Sequence, residues 1–360
     1  MPSVSVLIKP ASSLCNMSCD YCFYCDEANN RTIESYGFMS EKTLKNVIRK
    51  TMLNATGYVS YLFQGGEPTL CGLDFYRKVI EYQQHYNRNG IRVYNSLQTN
   101  GYLIDEKWCE FFKKENFLIG LSVDGTKDIH NSLRHDRAGN GTYEHVFKAS
   151  KLFDRYDVEY NILTVVSSPV AGNIRKIYKD YSGKGWKYQQ YILCLDPIGQ
   201  KKASPYSISP KEYGQFLIDL FEMWYDDFIN GTQPYIREFD NYLNILRGRL
   251  PEACSMTGHC TVQNVVEADG GVYPCDFYVL DNYYLGNYNT DKFAEIASCD
   301  NALKFVEDSI KLTAKCQECP YFKLCRGGCR RNRTDGNNMF CKSYRMFFDA
   351  CLEKMKKITN

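Results

Sequence analysis

The chain has 360 residues, of which 44% are hydrophobic, and its 44 Lys and Arg against 42 Asp and Glu leave a net charge of +2. This length and apolar content predict two domains rather than one or three. The charge balance lacks the basic excess of nucleic-acid and membrane-surface proteins, and no stretch approaches the about 18 apolar residues of a membrane helix, so we expect no nucleic-acid and no membrane partner.

Short β-rich runs alternate with amphipathic helical stretches over the first two hundred residues. Helices are predicted at 40–54 and 105–115, with Ser40 and Asp105 as N-caps. Six strands alternating with helices indicate a parallel sheet with right-handed crossovers, and we predict a closed or partial barrel. The predicted strands are 4–9, 58–64, 92–99, 118–123, 160–166 and 188–195.

Polar residues and glycines follow most of these strands, where parallel α/β folds place their chemistry. Gly65 and Gly66 follow the second strand, the third ends at 98–101, and Ser122 and Asp124 end the fourth. Each pattern alone is an ordinary turn signal. Their recurrence at one end of the sheet predicts a functional rim.

The loop after the first strand carries Cys15, Cys19 and Cys22 in a C-x-x-x-C-x-x-C spacing. Three thiolates leave one iron of an iron-sulfur cluster open to a substrate or cofactor. One alternative is a zinc knuckle with a distant fourth ligand. In another, Cys25 supplies a fourth thiolate and closes the site. The motif resembles that of the radical S-adenosylmethionine (SAM) superfamily, in which the open iron binds that cofactor.

The sequence Gly65-Gly66-Glu67-Pro68 resembles the GGEP motif of the same superfamily. Arg134 offers a planar fork for a carboxylate and Glu67 an acceptor for an ammonium group. The alternative for Arg134 is a solvated loop residue. The resemblance implies SAM contacts from Tyr21, Tyr24, Gly66, Glu67, Gln98, Ser122, Arg134 and Leu195.

A polar segment with two prolines at 200–209 predicts the end of the barrel near residue 205. Ser209 to Glu212 form a capping box with proline at the first helical position. The helix that follows has one apolar face, which we assign to core packing. Linking helices are therefore expected over 206–250, and a cysteine-rich domain over 251–360.

The C-terminal cysteines follow the order C-x9-G-x4-C from Cys260 through Gly270 to Cys275, then C-x2-C-x5-C-x3-C from Cys316 to Cys329, and a last Cys341. This order resembles that of the SPASM domain of peptide-modifying radical SAM enzymes. That resemblance implies two auxiliary [4Fe-4S] clusters, three in all with the N-terminal one. Independently, the turn residues Asp269-Gly270-Gly271 predict a hairpin at 265–274. Paired zinc sites are the alternative for these thiolates, and His259 is a further candidate ligand. The implied ligands are Cys254, Cys260, Cys275 and Cys329 for the first cluster, and Cys316, Cys319, Cys325 and Cys341 for the second.

The whole chain resembles the anaerobic sulfatase-maturating enzymes, through LIKPASS at 7–13, FQGGEPTL at 63–70, NSLQTNG at 95–101 and YPCDFYVLD at 273–281. These enzymes oxidise a cysteine or serine of a sulfatase, in a C/S-x-P-x-R motif, to Cα-formylglycine. The implied reaction removes a hydrogen atom from the β-carbon with a 5′-deoxyadenosyl radical, while an auxiliary cluster accepts the second electron. A flavodoxin- or ferredoxin-type protein would be the electron donor.

Asp276 matches the family's proposed base, and its position beside a cluster ligand would hold it rigidly. A structural aspartate that orients the cluster loop is the alternative. Asp281, Asp196 and Glu67 are other candidates, and Gln64 is a candidate substrate contact.

Seventeen cysteines, an odd number, cannot all form disulfides, and clustered thiols in a reducing compartment are typical metal ligands. Residues 1–13 lack the features of a signal peptide, so we expect a cytoplasmic enzyme. One rival function is a maturase that cross-links ribosomally made peptides. Another is a non-catalytic, zinc-bound peptide-binding protein.

Overall fold

The computed structural model describes residues 3–200 and 202–359. The strands are β1 Val4–Ile8, β2 Tyr58–Phe63, β3 Arg92–Thr99, β4 Phe117–Ser122, β5 Tyr160–Val166, β6 Tyr188–Leu193, β7 Tyr235–Ile236, β8 Val265–Val266, β9 Gly271–Tyr273, β10 Gly286–Asn287, β11 Arg333–Thr334 and β12 Asn337–Asn338. The helices are α1 Phe23–Asn29, α2 Glu41–Asn54, α3 Gly72–Tyr86, α4 Glu106–Lys114, α5 Lys127–Leu133, α6 Tyr143–Tyr156, α7 Ser168–Ala171, α8 Ile174–Lys184, α9 Pro210–Ile229, α10 Arg237–Leu246, α11 Phe293–Ala297, α12 Asp300–Ile310, α13 Ala314–Gln317, α14 Phe322–Cys325 and α15 Cys341–Thr359.

One mixed sheet forms the centre of the molecule. Its strand order is β10-β9-β8-β1-β2-β3-β4-β5-β6-β7, and neighbouring strands from β1 to β7 are parallel. Within the described residues β6 does not pair with β1, so the six-stranded unit is open. The predicted α/β fold with a partial barrel is confirmed.

Local sequence signals account for the main elements. The Ser40 side chain accepts from Thr43 N–H and begins α2, and the Asp105 side chain accepts from Trp108 N–H and begins α4. The predicted strands are found: 92–99 and 160–166 match, and the ends of the other four shift by one or two residues. The shifts place Lys9, Gln64 and Leu195 just beyond their strands, and Gln64 and Leu195 line the cavity described below.

The cysteine-rich part joins the same sheet. Strand β8 pairs in parallel with β1, at Leu7 with Val265 and Ile8 with Val266, and β8 and β9 form the predicted hairpin. The sequence interpretation did not foresee this pairing. The domain boundaries at residues 205 and 250 stay predictions, because the sheet runs continuously across them.

Helices α9 and α15 pack tightly beside the sheet. The capping box at Ser209 is present, and Phe216, Leu217, Leu220, Phe221 and Trp224 are buried as predicted. A Cβ on Gly214 would lie 3.1 Å from Ser343 Cα, so a glycine there permits the close approach of the two helices. Among residues 3–200 and 202–359, no helix combines the length and apolarity needed to cross a bilayer.

Candidate active site and cysteine clusters

A cavity of about 1080 Å³, including its open mouth, lies at the carboxyl ends of the strands. Its wall includes residues that follow β1, β2, β3, β4 and β6, together with Asp276 and Phe277 from the cysteine-rich part. All the predicted SAM-site, substrate and base residues line it, namely Tyr21, Tyr24, Gln64, Gly66, Glu67, Gln98, Ser122, Arg134, Leu195 and Asp276. The cavity is therefore shared between the barrel and the cysteine-rich part.

Cys15, Cys19 and Cys22 line the same cavity, and their thiols interact electrostatically with one another. Burial raises the pKa of Cys15 to about 11 and that of Cys19 to about 12. A hydrogen bond with the exposed Cys25 instead lowers the pKa of Cys22 to about 6. The donor set, three thiols facing one cavity, suits an iron-sulfur cluster with an open iron.

Gly66 allows the cysteine loop and the second strand's loop to touch. A Cβ at this position would lie 2.2 Å from the carbonyl oxygen of Leu14, and the residue has φ of +55°. Glu67 N–H donates to that same carbonyl at 2.8 Å. The loop thus requires glycine, because any side chain would push Leu14 and the cysteines after it out of place.

Glu67 is 1% exposed, and its carboxylate is already occupied by partners within the protein. One oxygen accepts from Thr69 N–H at 3.1 Å, from the Thr69 hydroxyl and from the Thr99 hydroxyl at 2.8 Å, and the other accepts from Asn100 N–H at 2.8 Å. Burial raises the pKa of Glu67 despite these bonds. Glu67 therefore joins the ends of β2 and β3, a role that the sequence interpretation missed.

Arg134 is 8% exposed and is not a solvated loop residue. It donates to the Tyr21 hydroxyl at 2.8 Å and lies 3.6 Å from Asp124, and Tyr21 donates to the same Asp124 carboxylate. The other Asp124 oxygen accepts from Val165 N–H at 2.9 Å. The sequence interpretation placed Asp124 at the end of the fourth strand, on the predicted rim, without a role of its own, yet it fixes both predicted cofactor contacts.

Asp276 is 6% exposed and has two unlike oxygens. Its Oδ2 accepts from the Tyr24 hydroxyl and from Gln64 Nε2, both at 2.8 Å, whereas Oδ1 has no hydrogen-bond partner among the described residues. Burial raises the pKa of Asp276 to about 6, and Lys9 opposes the shift. The carboxyl group is thus fixed through Oδ2, while Oδ1, which is also buried, is left without a partner in the described part of the chain.

The other candidate bases differ in position or in bonding. Asp281 is exposed and accepts from Thr32 N–H at 2.8 Å and from its hydroxyl at 2.7 Å, and Asp196 is exposed and accepts from Ser207. Neither lines the cavity. Glu67 does, but its oxygens are engaged.

A buried ionic cluster, which the sequence interpretation also missed, lies next to Asp276. Lys9 Nζ lies 2.9 Å from Glu267, 3.8 Å from Glu27 and 5.0 Å from the centre of the Tyr24 ring, and Arg31 lies 2.6 Å from Glu267. Burial raises the pKa of Glu27 to about 8, whereas Lys9 and Arg31 hold that of Glu267 at about 2 despite its burial. A lysine in the last position of a predicted strand was the one available signal.

The remaining predicted ligands form two groups, which we name the first and second tetrads. Electrostatic interactions link the thiols of the first tetrad, Cys254, Cys260, Cys275 and Cys329. They also link those of the second, Cys316, Cys319, Cys325 and Cys341, which line a separate depression of about 550 Å³. His259 lines a neighbouring groove whose wall includes none of these cysteines.

Comparison with known proteins agrees with this geometry. Residues 10–171 match the Radical SAM superfamily, and residues 254–320 match SPASM, an iron-sulfur cluster-binding domain. The chain is 44% identical to the cysteine-type anaerobic sulfatase-maturating enzyme of Clostridium perfringens, over 100% of this chain and 99% of that one. It is 30% identical to the serine-type enzyme of Bacteroides thetaiotaomicron, over 95% and 88% of the two chains.

A solved structure has the same fold over its whole length. Native anSMEcpe with bound AdoMet and Cp18Cys peptide superposes with a TM-score of 0.95 at 44% identity, covering 100% of this chain and 99% of that one. The similarity therefore includes both the cavity and the cysteine-rich part.

Proposed function

Because the chain belongs to the anaerobic sulfatase-maturating enzymes of the radical SAM superfamily, we propose that it converts a cysteine of a sulfatase polypeptide into Cα-formylglycine with Asp276 as the base. The observation that carries this proposal is that one cavity is lined both by three cysteine thiols and by Asp276, one oxygen of which has no partner among the described residues. A thiol-bearing side chain placed between them meets both groups that the oxidation needs.

The cavity fits SAM and a cluster held by Cys15, Cys19 and Cys22. Its volume, its glycine-built loop and the buried Arg134 suit a nucleotide-sized ligand with a charged amino-acid end. When bound, the cluster and SAM supply the one-electron chemistry that removes a hydrogen atom from an unactivated carbon. The protein positions the substrate and excludes water.

The cofactor contacts are proposed for residues on three sides of the cavity. Gly66 offers its backbone, Ser122 a hydroxyl and Arg134 the guanidinium nitrogens that Tyr21 and Asp124 leave free. Tyr24, Gln98 and Leu195 complete the wall. Glu67 contributes by fixing the loop, since its oxygens are already satisfied.

Asp276 takes the proton of the target thiol in this proposal. Its pKa of about 6 leaves it ionised at neutral pH yet basic enough to accept a proton, and Oδ1 is the accepting atom. Tyr24 and Gln64 orient it through Oδ2, and Gln64 also faces the substrate space.

The two tetrads are proposed to hold [4Fe-4S] clusters, which makes three clusters with the N-terminal one. Four thiolates would also suit zinc. The match of residues 254–320 to SPASM, an iron-sulfur cluster-binding domain, supports clusters over zinc. Cys275 immediately precedes Asp276 in the chain, so the first tetrad lies beside the proposed reacting centre. A cluster held there is well placed to accept the second electron of the oxidation.

Cysteine is the proposed target rather than serine, because identity is 44% with the cysteine-type enzymes and 30% or less with the serine-type ones. The proposed substrate motif is C-x-P-x-R, and a flavodoxin- or ferredoxin-type protein is the proposed electron donor. The unpaired cysteines support a reducing compartment, the cytoplasm, as its location.

The test uses two peptides that differ only in the target residue, C-x-P-x-R and S-x-P-x-R. Anaerobic enzyme with dithionite and SAM should give 5′-deoxyadenosine and, from the cysteine peptide, a product that has lost one sulfur and two hydrogens and gained one oxygen. An intramolecular cross-link instead would support the rival peptide maturase. A zinc-loaded protein that leaves SAM intact would contradict radical chemistry altogether.

A further inference from the structure

The surface around the second tetrad carries an unusual excess of positive charge. Residues 311–333 contain seven Lys or Arg and one carboxylate, Glu318, in a chain that is otherwise nearly balanced. Arg333 donates to the carbonyl groups of Gly327, Gly328 and Ser309 and has a structural role. Lys311 and Arg330 pair with Asp308, and Arg331 donates to the carbonyl group of Asp196.

Four of these side chains border two adjoining depressions. Lys315 and Arg345 line the one that contains the second tetrad, and Lys323 and Arg326 line a neighbouring groove of about 900 Å³. Phe322, on α14, lines both. We name Lys315, Lys323, Arg326 and Arg345 the basic face.

The basic face has no counter-charge within the protein. None of its four members forms an ion pair in the described residues, and no carboxylate lines either depression. The nearby Asp349 accepts from the Tyr321 hydroxyl, and Asp308 pairs with Lys311. Arg326 donates to the carbonyl groups of Lys323 and Met256, whereas Lys315, Lys323 and Arg345 are exposed. Together these cations form a local positive potential that attracts an acidic partner.

The basic face also lies against both cysteine tetrads. The groove is bounded on one side by residues 257–259, which lie between Cys254 and Cys260 of the first tetrad, and on the other by α14, which ends at Cys325 of the second. All four thiols of the second tetrad are half-buried rather than fully enclosed. A partner seated here would lie close to the auxiliary centres and on a surface separate from the substrate cavity.

We propose that the basic face is the docking surface for an acidic one-electron carrier of the flavodoxin or ferredoxin type. The carrier collects the electron that each turnover leaves on the auxiliary centres. One electron leaves a tetrad and reduces the carrier, and no bond forms or breaks. This inference rests on the proposed function, because it requires that the tetrads hold redox centres.

The test measures binding of a purified acidic flavodoxin to the cluster-loaded enzyme at several salt concentrations. The triple variant Lys315→Glu, Lys323→Glu, Arg345→Glu should weaken binding about tenfold or more and flatten its salt dependence. The control reverses three exposed, unpaired lysines of the barrel, Lys148→Glu, Lys176→Glu and Lys179→Glu, and should stay within about twofold of wild type.

Lys323→Glu alone guards against damage to a cluster, because Lys323 does not line the depression that holds the thiols. It should weaken binding with iron content and visible absorbance unchanged. Unchanged flavodoxin binding in both variants would overturn the proposal, and so would an effect confined to the affinity for the sulfatase polypeptide.

A dithionite-driven assay separates this inference from the proposed function. If the variants still oxidise the cysteine peptide with dithionite but bind flavodoxin poorly, both hold. If the wild type makes no aldehyde, the proposed function fails whatever the binding data show. If a charge reversal shifts only a cluster potential, the basic face acts as counter-charge for the clusters and the docking role is wrong.

Discussion

Asp276 combines three properties that no other carboxylate of the cavity has together. It lines the cavity, one of its oxygens is free, and the other is fixed by Tyr24 and Gln64. Asp281 and Asp196 lie outside, and Glu67 is saturated with hydrogen bonds. These contacts support the proposed role of Asp276 as proton acceptor over that of a structural aspartate.

Asp276→Asn should therefore reduce formation of the aldehyde about 100-fold or more, because an amide of the same shape cannot accept the thiol proton. Iron content and SAM binding should be unchanged. The measurement is the initial rate of peptide oxidation. The matched control is Asp281→Asn, because Asp281 is exposed and, among the described residues, accepts hydrogen bonds only from Thr32. A variant Asp276→Asn with more than half of the wild-type rate would refute the assignment.

Glu27 provides a pH test of the buried ionic cluster. Its pKa is raised to about 8 by burial, above the value in the unfolded chain, so the folded protein holds a proton there that the unfolded chain releases. This contribution is complete below the unfolded pKa and is lost as the pH rises toward 8.

Glu27→Gln should remove that dependence, because a glutamine keeps the neutral shape at every pH. We expect the melting temperature of the variant to fall less than that of the wild type between pH 6 and pH 8.5, measured by anaerobic thermal unfolding. Parallel curves for the two proteins would show that Glu27 is ionised throughout.

At this scale the sequence predicted which residues line the cavity, but not how they are held. The cysteines, Gly66 and Asp276 belong to motifs with fixed spacing. By contrast, the pairing of Lys9 with Glu267 and of Asp124 with Tyr21 and Arg134 joins positions more than a hundred residues apart or hidden in turn signals. No local pattern reveals such contacts.

The loop after β2 shows how one glycine positions an element. At Gly66 a side chain would both adopt an unfavourable φ and meet the backbone of Leu14. Gly90 has a similar φ of +60° but no atom within 4 Å of where a Cβ would lie. A side chain would therefore cause backbone strain at both positions but a steric clash only at Gly66.

Gly66→Ala should lower SAM affinity about tenfold or more and reduce iron incorporation at the N-terminal site, since the cysteine loop must move. Gly90→Ala carries only the strain of a left-handed alanine, about 1 kcal/mol, and should keep both properties. Equilibrium SAM binding to the two variants decides the matter. Equal affinities would mean that the close contact with Leu14 does not set the loop.

The elements were predictable where local rules apply. Helices α2, α4 and α9 begin at their predicted caps, and the six main strands lie within two residues of expectation. Strands of two residues, such as β7 and β8, carry no periodicity, so their pairing with the edges of the sheet could not be predicted.

At the scale of the molecule, the pairing of β8 with β1 explains why one cavity serves two parts of the chain. The hairpin that leads to Cys275 and Asp276 is built on the edge strand whose loop carries Cys15, Cys19 and Cys22. Asp276, the first tetrad and the cysteine loop are thereby held by one sheet. This arrangement leaves the second tetrad and the basic face at a separate surface.

The three proposed clusters predict the metal content. Anaerobically prepared protein should contain about twelve irons per chain and little zinc. Cys329→Ala removes a ligand of the first tetrad and Cys325→Ala a ligand of the second. Each variant should lose about four irons, as measured by elemental analysis. Cys25→Ala should lose none, and a loss there would make Cys25 a ligand instead.

The most direct test of the central claim follows the hydrogen atom itself. A C-x-P-x-R peptide carrying deuterium on the β-carbon of its cysteine is incubated with enzyme, dithionite and SAM, and the products are analysed by mass spectrometry. We predict deuterium in 5′-deoxyadenosine, in step with the appearance of the aldehyde. Aldehyde formation without deuterium transfer, or SAM cleavage that leaves the cysteine unchanged, would contradict the account.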